Sequence, residues 1–183
     1  MTVAIVICVI VILLAQLVIS SYNKFVKLKN RIEESLAQLD ATLKKRFDLI
    51  PNLVETVKGY ANHERETLEG VINARNSGMS ATTLEEKDLA SKTMSHALGR
   101  LFAVAENYPS LKANENFISL QNSLSSIEDD ILSSRKYYNA VVKEYNTARE
   151  TFPSNIIASL FHFSRREYLS IDEKERENIK VQF

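Results

Sequence analysis

The chain has 183 residues, with 23 basic and 23 acidic side chains, so its formal net charge is zero. This balance argues against nucleic acid as a partner, because binding to phosphates requires a surplus of basic residues. Only four glycines and three prolines occur. So few helix-breaking residues in a chain of this length favour an all-α fold with long helices.

The first predicted element is an apolar helix. Every residue from Val3 to Ile19 is apolar except Gln16, and as a helix this run is about 25 Å long, enough to cross a bilayer. A cleaved signal peptide would need a basic start, a shorter apolar stretch and a small-residue cleavage site, none of which is present. We therefore predict a retained transmembrane anchor in residues 1–21. The residues proposed to form this membrane anchor include Val3, Ile7, Ile10, Leu14, Leu17 and Ile19.

The charges that flank this helix predict its orientation. No Lys or Arg precedes the span, whereas Lys24, Lys27, Lys29 and Arg31 follow it directly. The positive-inside rule then places the N-terminus outside and the rest of the chain in the cytoplasm. We expect a single-pass protein of the cell membrane, with membrane lipid as a partner.

A second apolar pattern continues directly from the anchor. Apolar side chains recur in steps of three and four residues from Ile32 to Val71, which predicts one long amphipathic helix. Pro51 lies inside this pattern and removes one backbone donor, so we expect a kink near Asp48. The next break in the pattern is the loop signal Asn76-Ser77-Gly78.

A middle helix is predicted after that loop. It opens with two overlapping capping boxes, Thr82-x-x-Glu85 and Thr83-x-x-Glu86, in which a hydroxyl and a carboxylate bond reciprocally to backbone N–H groups. Asn107-Tyr108-Pro109 ends it.

The strongest helical pattern lies in the C-terminal half. An apolar seam runs from Phe117 to Phe152 and is interrupted only by Ser134, with Asn114 as the expected N-cap and Pro153 as the end. Ser154 is then expected to cap a short apolar helix. Three long helices joined by short loops form an antiparallel bundle over residues 22–163, and residues 164–183 form a charged C-terminal tail. No segment has a period of two, so no sheet is predicted.

No constellation of residues indicates catalysis. His63, His96 and His162 are scattered, without the HxxxH or HExxH spacing that holds a metal. No phosphate-binding glycine motif occurs, and the single cysteine, Cys8, lies in the apolar N-terminus. We therefore predict a non-enzymatic protein without catalytic, cofactor-binding or metal-binding residues.

Two basic clusters have two possible interpretations. Lys44-Lys45-Arg46 and Arg165-Arg166 are typical of a solvated helix surface. The alternative is contact with anionic lipid, if either cluster lies near the membrane.

Several local motifs resemble the LemA family. They are Tyr22-Asn23, Lys29-Asn30-Arg31, Arg46-Phe47-Asp48-Leu49-Ile50-Pro51-Asn52-Leu53-Val54, Glu106-Asn107-Tyr108-Pro109, Leu111-Lys112-Ala113-Asn114, Tyr138-Asn139, Tyr145-Asn146 and Phe152-Pro153-x-Asn155. The resemblance covers nearly the whole chain. It implies a bacterial single-pass membrane protein with a bundle of long helices, no established enzymatic activity and a role in organising membranes or membrane protein complexes. It supplies no cofactor and no catalytic residue.

Some of these motif residues are candidates for setting helix register or for binding a partner. Asp48 and Asn52 are four residues apart and project from one helix face beside Pro51. The pairs Tyr138-Asn139 and Tyr145-Asn146 are seven apart and repeat on the same two faces. Their hydroxyls and amides are expected to bond across helices and fix register, and a partner-binding surface is the alternative.

Two functions remain open at this point. The first is a scaffold that forms homo-oligomers at the membrane, suggested by Phe25, Leu53 and Ile72, which lie off the main apolar stripe. The second is an adaptor that binds a client such as a membrane protease or a signalling protein through the bundle surface.

Overall fold

The computed structural model describes residues 1–61 and 63–170. These residues form helices only, without a strand, so the predicted all-α class is confirmed. Residues 171–183, most of the predicted charged tail, lie outside the described residues. The helices are α1 (Thr2–Lys58), α2 (Arg65–Ser80), α3 (Leu84–Ala105), α4 (Pro109–Lys112), α5 (Glu115–Glu150) and α6 (Ser154–Leu160).

Helix α1 joins the predicted anchor to the following amphipathic helix without interruption, as expected. Within the described residues it is the one helix long and apolar enough to cross a membrane, judged by length and composition. Residues 2–16 are all exposed, whereas Phe25, Leu28 and Ile32 are buried. Pro51 lies inside α1, and the kink expected near Asp48 stays a prediction.

Two predicted boundaries around α2 are wrong. The helix expected to reach Val71 ends at Lys58, because the weak helix former Gly59 follows and the N–H groups of Tyr60 and Ala61 both bond to Val57 O. The expected loop at Asn76-Ser77-Gly78 is instead helical. Gly78 has a packing role there: a Cβ atom would collide with the ring of Phe47, so only glycine permits this close approach.

Helix capping follows the sequence in part. The capping box Thr83–Glu86 is confirmed, with Glu86 N–H donating to Thr83 Oγ1 (3.2 Å) and Thr83 N–H donating to Glu86 Oε2 (3.0 Å). The second box is wrong, because Thr82 also bonds to Glu86 rather than Glu85.

Of the caps predicted for α5 and α6, one is confirmed and the other is wrong. Asn114 is confirmed as the cap of α5, since its Oδ1 accepts the N–H of Phe117 at 3.0 Å. Ser154 does not cap α6: it lies inside the first turn, and its hydroxyl donates back to Ala148 O (2.6 Å) and Thr151 O (2.9 Å).

The chain forms two compact units, and α1 and α5 each contribute to both. The first unit consists of Met1–Gln38 and Arg135–Tyr168, and the second of Leu39–Ser134 together with Leu169 and Ser170 among the described residues. The predicted division into anchor, bundle and tail stays a prediction.

In the first unit, α5 runs antiparallel to α1, so that its C-terminal end lies on the anchor side. Arg31 binds Glu144 at 3.1 Å, and further toward the anchor Lys24 borders the same hollow as Thr151 and Ser154. The core of this unit consists of Phe25, Leu28, Ile32, Tyr138, Val141, Val142, Tyr145, Ala148, Ile157 and Ala158.

In the second unit, α2 and α3 form a helical hairpin closed by residues 81–83. Their apolar faces pack with residues of α1, α4 and α5 that belong to this unit. The core consists of Leu39, Leu43, Phe47, Ile50, Leu53, Val54, Val57, Leu68, Val71, Met94, Leu98, Leu101, Leu111, Phe117, Leu124, Ile127 and Ile131.

Candidate functional site

A buried arginine connects three helices of the second unit. The side chain of Arg46 on α1 has no exposed surface. Its guanidinium donates to Ser91 O on α3 at 2.8 Å, approaches Ser95 Oγ at 3.3 Å, and pairs with the carboxylate of Glu128 on α5. Ser95 Oγ also donates to Glu128 Oε1 at 2.8 Å. A buried charge is tolerated when it is paired and hydrogen-bonded in this way.

This cluster corrects the prediction for Arg46. Neither of the two interpretations of Lys44-Lys45-Arg46, a solvated surface or a lipid contact, describes Arg46, although Lys44 and Lys45 are exposed. The sequence did contain a signal: Arg46 continues the three-and-four spacing of Leu39, Leu43, Ile50 and Leu53. A charge at a core position of a helix requires a partner, and Glu128 lies next to the core residue Ile127.

A second polar cluster of this unit lies where the chain leaves the first unit. Lys92 on α3 binds Asp88 at 3.2 Å and Ser170 Oγ at 2.5 Å, and Ser170 donates to Asp88. Leu169, the residue before Ser170, is buried. These contacts fix the chain at Leu169 and Ser170, a role that no motif in the sequence indicated.

In the first unit, side chains of α5 bind the backbone of the C-terminal segment, residues 161–168. Asn146 makes two bonds to Arg166, with Nδ2 donating to its carbonyl at 2.8 Å and Oδ1 accepting its N–H at 3.0 Å. The hydroxyls of Tyr145 and Tyr138 donate to Ser164 O (3.0 Å) and Glu167 O (3.1 Å). A non-helical segment leaves its backbone groups unpaired, and α5 supplies the missing partners.

Burial changes the pKa of one of these α5 side chains, that of Tyr138. The pKa of Tyr138 is raised above its ordinary value, first by burial and then by the charge of Glu167, although Arg166 opposes the shift. The phenol therefore remains a hydrogen-bond donor across the physiological range. Three of the candidate register residues, Tyr138, Tyr145 and Asn146, thus lie together against an extended segment rather than against another helix.

The remaining candidates lie elsewhere. Asp48, Pro51 and Asn52 are exposed on α1 in the second unit, and Asp48 pairs with Lys44 at 2.6 Å. Asn139 is half-buried in the first unit, one residue after Tyr138. These two groups of candidates therefore belong to different units.

An aromatic cluster joins α6 and the C-terminal segment to the start of the core. The ring of Phe161 meets that of Tyr22 edge-on with 4.9 Å between centroids, and Phe163 stacks on Phe25 at 4.8 Å. The edge of Phe25 meets Tyr145 at 5.8 Å. Of the three residues that suggest pairing with another chain, Phe25 and Leu53 are buried in their own units and Ile72 is half-buried, so their burial does not support oligomers.

The described residues contain no group of three or more His, Cys, Asp or Glu side chains placed to hold a metal ion. His63, His96 and His162 are each exposed. The two polar clusters of the second unit and the α5 side chains of the first unit make bonds within the described part of the chain, and these bonds hold helices and backbone in place.

Comparison with known proteins identifies relatives of this chain. The profile of the LemA family matches residues 35–183. Magnetosome protein MamQ 2 of Paramagnetospirillum magneticum is 27% identical over 173 residues, which cover 80% of this chain and 64% of that protein. Protein LemA of Metamycoplasma hominis is 24% identical over 165 residues, or 85% of this chain and 75% of that protein. The chain thus spans just under two thirds of the length of the magnetosome relative. Because the family profile matches most of its residues, the chain belongs to the LemA family.

Proposed function

We propose that this protein is a non-enzymatic scaffold that is anchored in the cytoplasmic membrane, self-assembles there and organises membrane or membrane-protein complexes. The observation that carries the proposal is the construction of α1. One continuous helix presents an exposed apolar stretch over residues 2–16 and then supplies Phe25 and Leu28 to a folded core. Apolar surface costs about 25 cal/mol per Å² in water, and a bilayer removes that cost.

The orientation proposed for the scaffold follows from charge. Lys24, Lys27 and Lys29 are exposed on the core side of the apolar stretch. Basic residues beside a span are retained on the cytoplasmic side, so residues 21–183 are cytoplasmic in this proposal.

Confinement in the membrane supports self-assembly. An anchor restricts copies to two dimensions and raises their effective concentration, so weak helix contacts suffice to join them. The name of the MamQ relatives refers to magnetosomes, and for this chain it supports a role in organising membranes.

Co-purification of two tagged copies tests self-assembly. Full-length chains carrying different tags are produced in one cell, and one tag is captured after mild extraction. We expect the second tag to be recovered, and recovery should fall when residues 1–20 are removed. The control mixes separately extracted copies. Failure to recover the second tag from cells that make both would contradict the proposal.

A second function is favoured by the exposed residues Asp48, Pro51 and Asn52 on α1. In an adaptor, this surface would bind a membrane protease or a signalling protein. Asn52→Ala should then reduce recovery of the client without unfolding the protein, whereas Glu55→Ala, an exposed change on the same helix, should not. Equal recovery with both variants would sink this version.

A further inference from the structure

We propose that α6 and the residues at its two ends form a second membrane contact, which lies in the headgroup layer beside the anchor. The inference rests on the proposed anchoring by residues 3–19 and adds a second attachment point to it. The argument uses residues of the first unit alone.

Helix α6 has two unlike faces. Ile157 and Ala158 are buried against the unit, with 4% and 1% of their surface exposed. Ile156 and Leu160, four residues apart and therefore on one helical face, are 57% and 65% exposed, and Phe152 before the helix is 75% exposed. Apolar side chains this exposed and this close together require a covering surface.

The position of α6 identifies that surface as the bilayer. Phe161, at the end of α6, packs edge-on against Tyr22 at 4.9 Å. Tyr22 follows the last apolar residue of the span, Ile19, by less than one helical turn, or about 5 Å along the axis. The exposed face of α6 therefore begins where the anchor leaves the hydrocarbon, at the depth where aromatic rings and amphipathic helices are favoured.

The charges around α6 suit a phospholipid surface. Lys24 and Lys27 on α1 and Arg165 after α6 are exposed in this unit. Lys143 is exposed as well, and so are three acidic residues, Glu144, Glu150 and Glu167, so the basic residues exceed the acidic ones by one. Lysine and arginine near an anionic leaflet are attracted to its headgroups.

Tryptophan fluorescence in the full-length protein tests the proposal. The sequence contains no tryptophan, so Leu160→Trp introduces a single reporter on the exposed face of α6. The protein is reconstituted in vesicles of phosphatidylcholine mixed with phosphatidylglycerol, whose acyl chains are brominated either near the headgroup or near the chain end. Tyr137→Trp is the matched control. Tyr137 is an exposed aromatic residue on α5, and it lies about 20 Å along the helix from the C-terminal end of α5, which is the end nearest the anchor.

We expect Leu160→Trp to show a blue-shifted emission and a loss of intensity with lipids brominated near the headgroup. Tyr137→Trp should emit at the wavelength of exposed tryptophan and should not be quenched. A blue shift of Leu160→Trp without quenching by either lipid would show that α6 is covered by protein, such as a second copy, and would overturn the proposal. Emission at the solvent-exposed wavelength would overturn it as well.

A third variant separates this inference from the anchoring on which it rests. Leu14→Trp lies in the apolar stretch of α1, and lipids brominated near the chain end should quench it most. If Leu14→Trp is quenched and Leu160→Trp is not, the anchor stands and the second contact is wrong. If neither is quenched, anchoring itself fails. Far-UV circular dichroism that matches the unmodified protein confirms that each variant has folded.

Discussion

The two units of this protein treat polar and apolar side chains in opposite ways. The second unit buries a charge, Arg46, among three of its helices, and its exposed large apolar residues, such as Met79, Leu89 and Ile118, are dispersed over three different helices. The first unit exposes apolar residues in groups, along residues 2–16 and on α6. Its α5 side chains bind the non-helical backbone of the C-terminal segment.

This difference supports the lipid contacts proposed for residues 3–19 and for α6. A folded unit in water hides contiguous apolar surface and pairs its buried charges, as the second unit does. Among the described residues, the first unit departs from that pattern most strongly along residues 2–16 and on α6, and Tyr22 and Phe161 join α1 to α6. Each of the following changes should disturb one unit and leave the other unchanged.

The largest effect is expected from Glu128→Ala, which leaves the buried guanidinium of Arg46 without its carboxylate. Removing one partner of a buried pair is strongly destabilising, and because Glu128 itself is half exposed we expect a loss of about 2–3 kcal/mol. Hydrogen exchange measured by mass spectrometry should accelerate around Ser91 and Ser95. Asp129→Ala, an exposed neighbour, should change stability by less than about 0.5 kcal/mol, and an equal effect of both variants would contradict the importance of this pair.

Asn146→Ala should loosen the first unit in the same manner. It removes two bonds to the backbone of Arg166 and leaves a carbonyl and an N–H group unpaired, at a cost of about 2 kcal/mol. Exchange of the amides in residues 163–168 should accelerate, while that of the second unit stays the same. Asn30→Ala, an exposed change on α1 in this unit, is the control, and unchanged protection of the C-terminal segment in Asn146→Ala would refute the assignment.

The start of α3 gives the second unit a defined response to pH. Bonds from the N–H groups of Thr83 and Thr82, and from the Thr82 hydroxyl, lower the pKa of Glu86 from 4.5 to about 2. A lowered folded-state pKa means that the carboxylate stabilises the fold above pH 4.5 and loses this effect as the pH falls through about 2.

Glu86→Gln should therefore lower the melting temperature at neutral pH, and the difference from the unmodified protein should shrink steadily as the pH falls from 4.5 toward 2. Thermal unfolding at a series of pH values measures this difference. Glu85→Gln, which does not alter the capping box, should show a smaller one. A constant difference across this range would contradict the bonding assigned to Glu86.

The smallest effect is expected at the end of α6, where His162 has φ 55° in the left-handed region. The N–H of Phe163 bonds to Ala158 O at 2.9 Å and that of His162 to Ser159 O at 3.3 Å, which is the usual arrangement of a helix ended by glycine. His162→Gly should be neutral, whereas His162→Val should cost about 1 kcal/mol. Thermal unfolding compares the two, and greater stability of the valine variant would contradict this geometry.

The apolar periodicity of the sequence predicted much of the fold. The spacing from Phe117 onward defines α5, and Asn114 and Thr83–Glu86 mark helix starts correctly because caps are local interactions. The break after Lys58 was missed, since Ala61 continues the apolar spacing through the turn and is itself buried. Gly78 was taken as a loop residue because its close approach to Phe47 depends on two segments distant in sequence.

The contacts of the candidate residues could be predicted from the sequence less well than the helices. The motif residues Tyr138, Tyr145 and Asn146 are singled out by the resemblance to the LemA family, but their partners are backbone groups, which are independent of residue type. The basic cluster Lys44-Lys45-Arg46 favours a solvated helix surface over a lipid contact, and a solvated surface describes the two lysines but not Arg46. Its position on the apolar seam was the better guide, and its pairing with Glu128 is set by tertiary structure.

The most direct test of the proposed scaffold is the mass and composition of the full-length protein, extracted from its native membrane into lipid nanodiscs. We expect a particle that contains several copies of this chain and no other protein in fixed proportion. A single copy per particle would contradict self-assembly. A particle with one copy and a second protein would replace the scaffold with the adaptor.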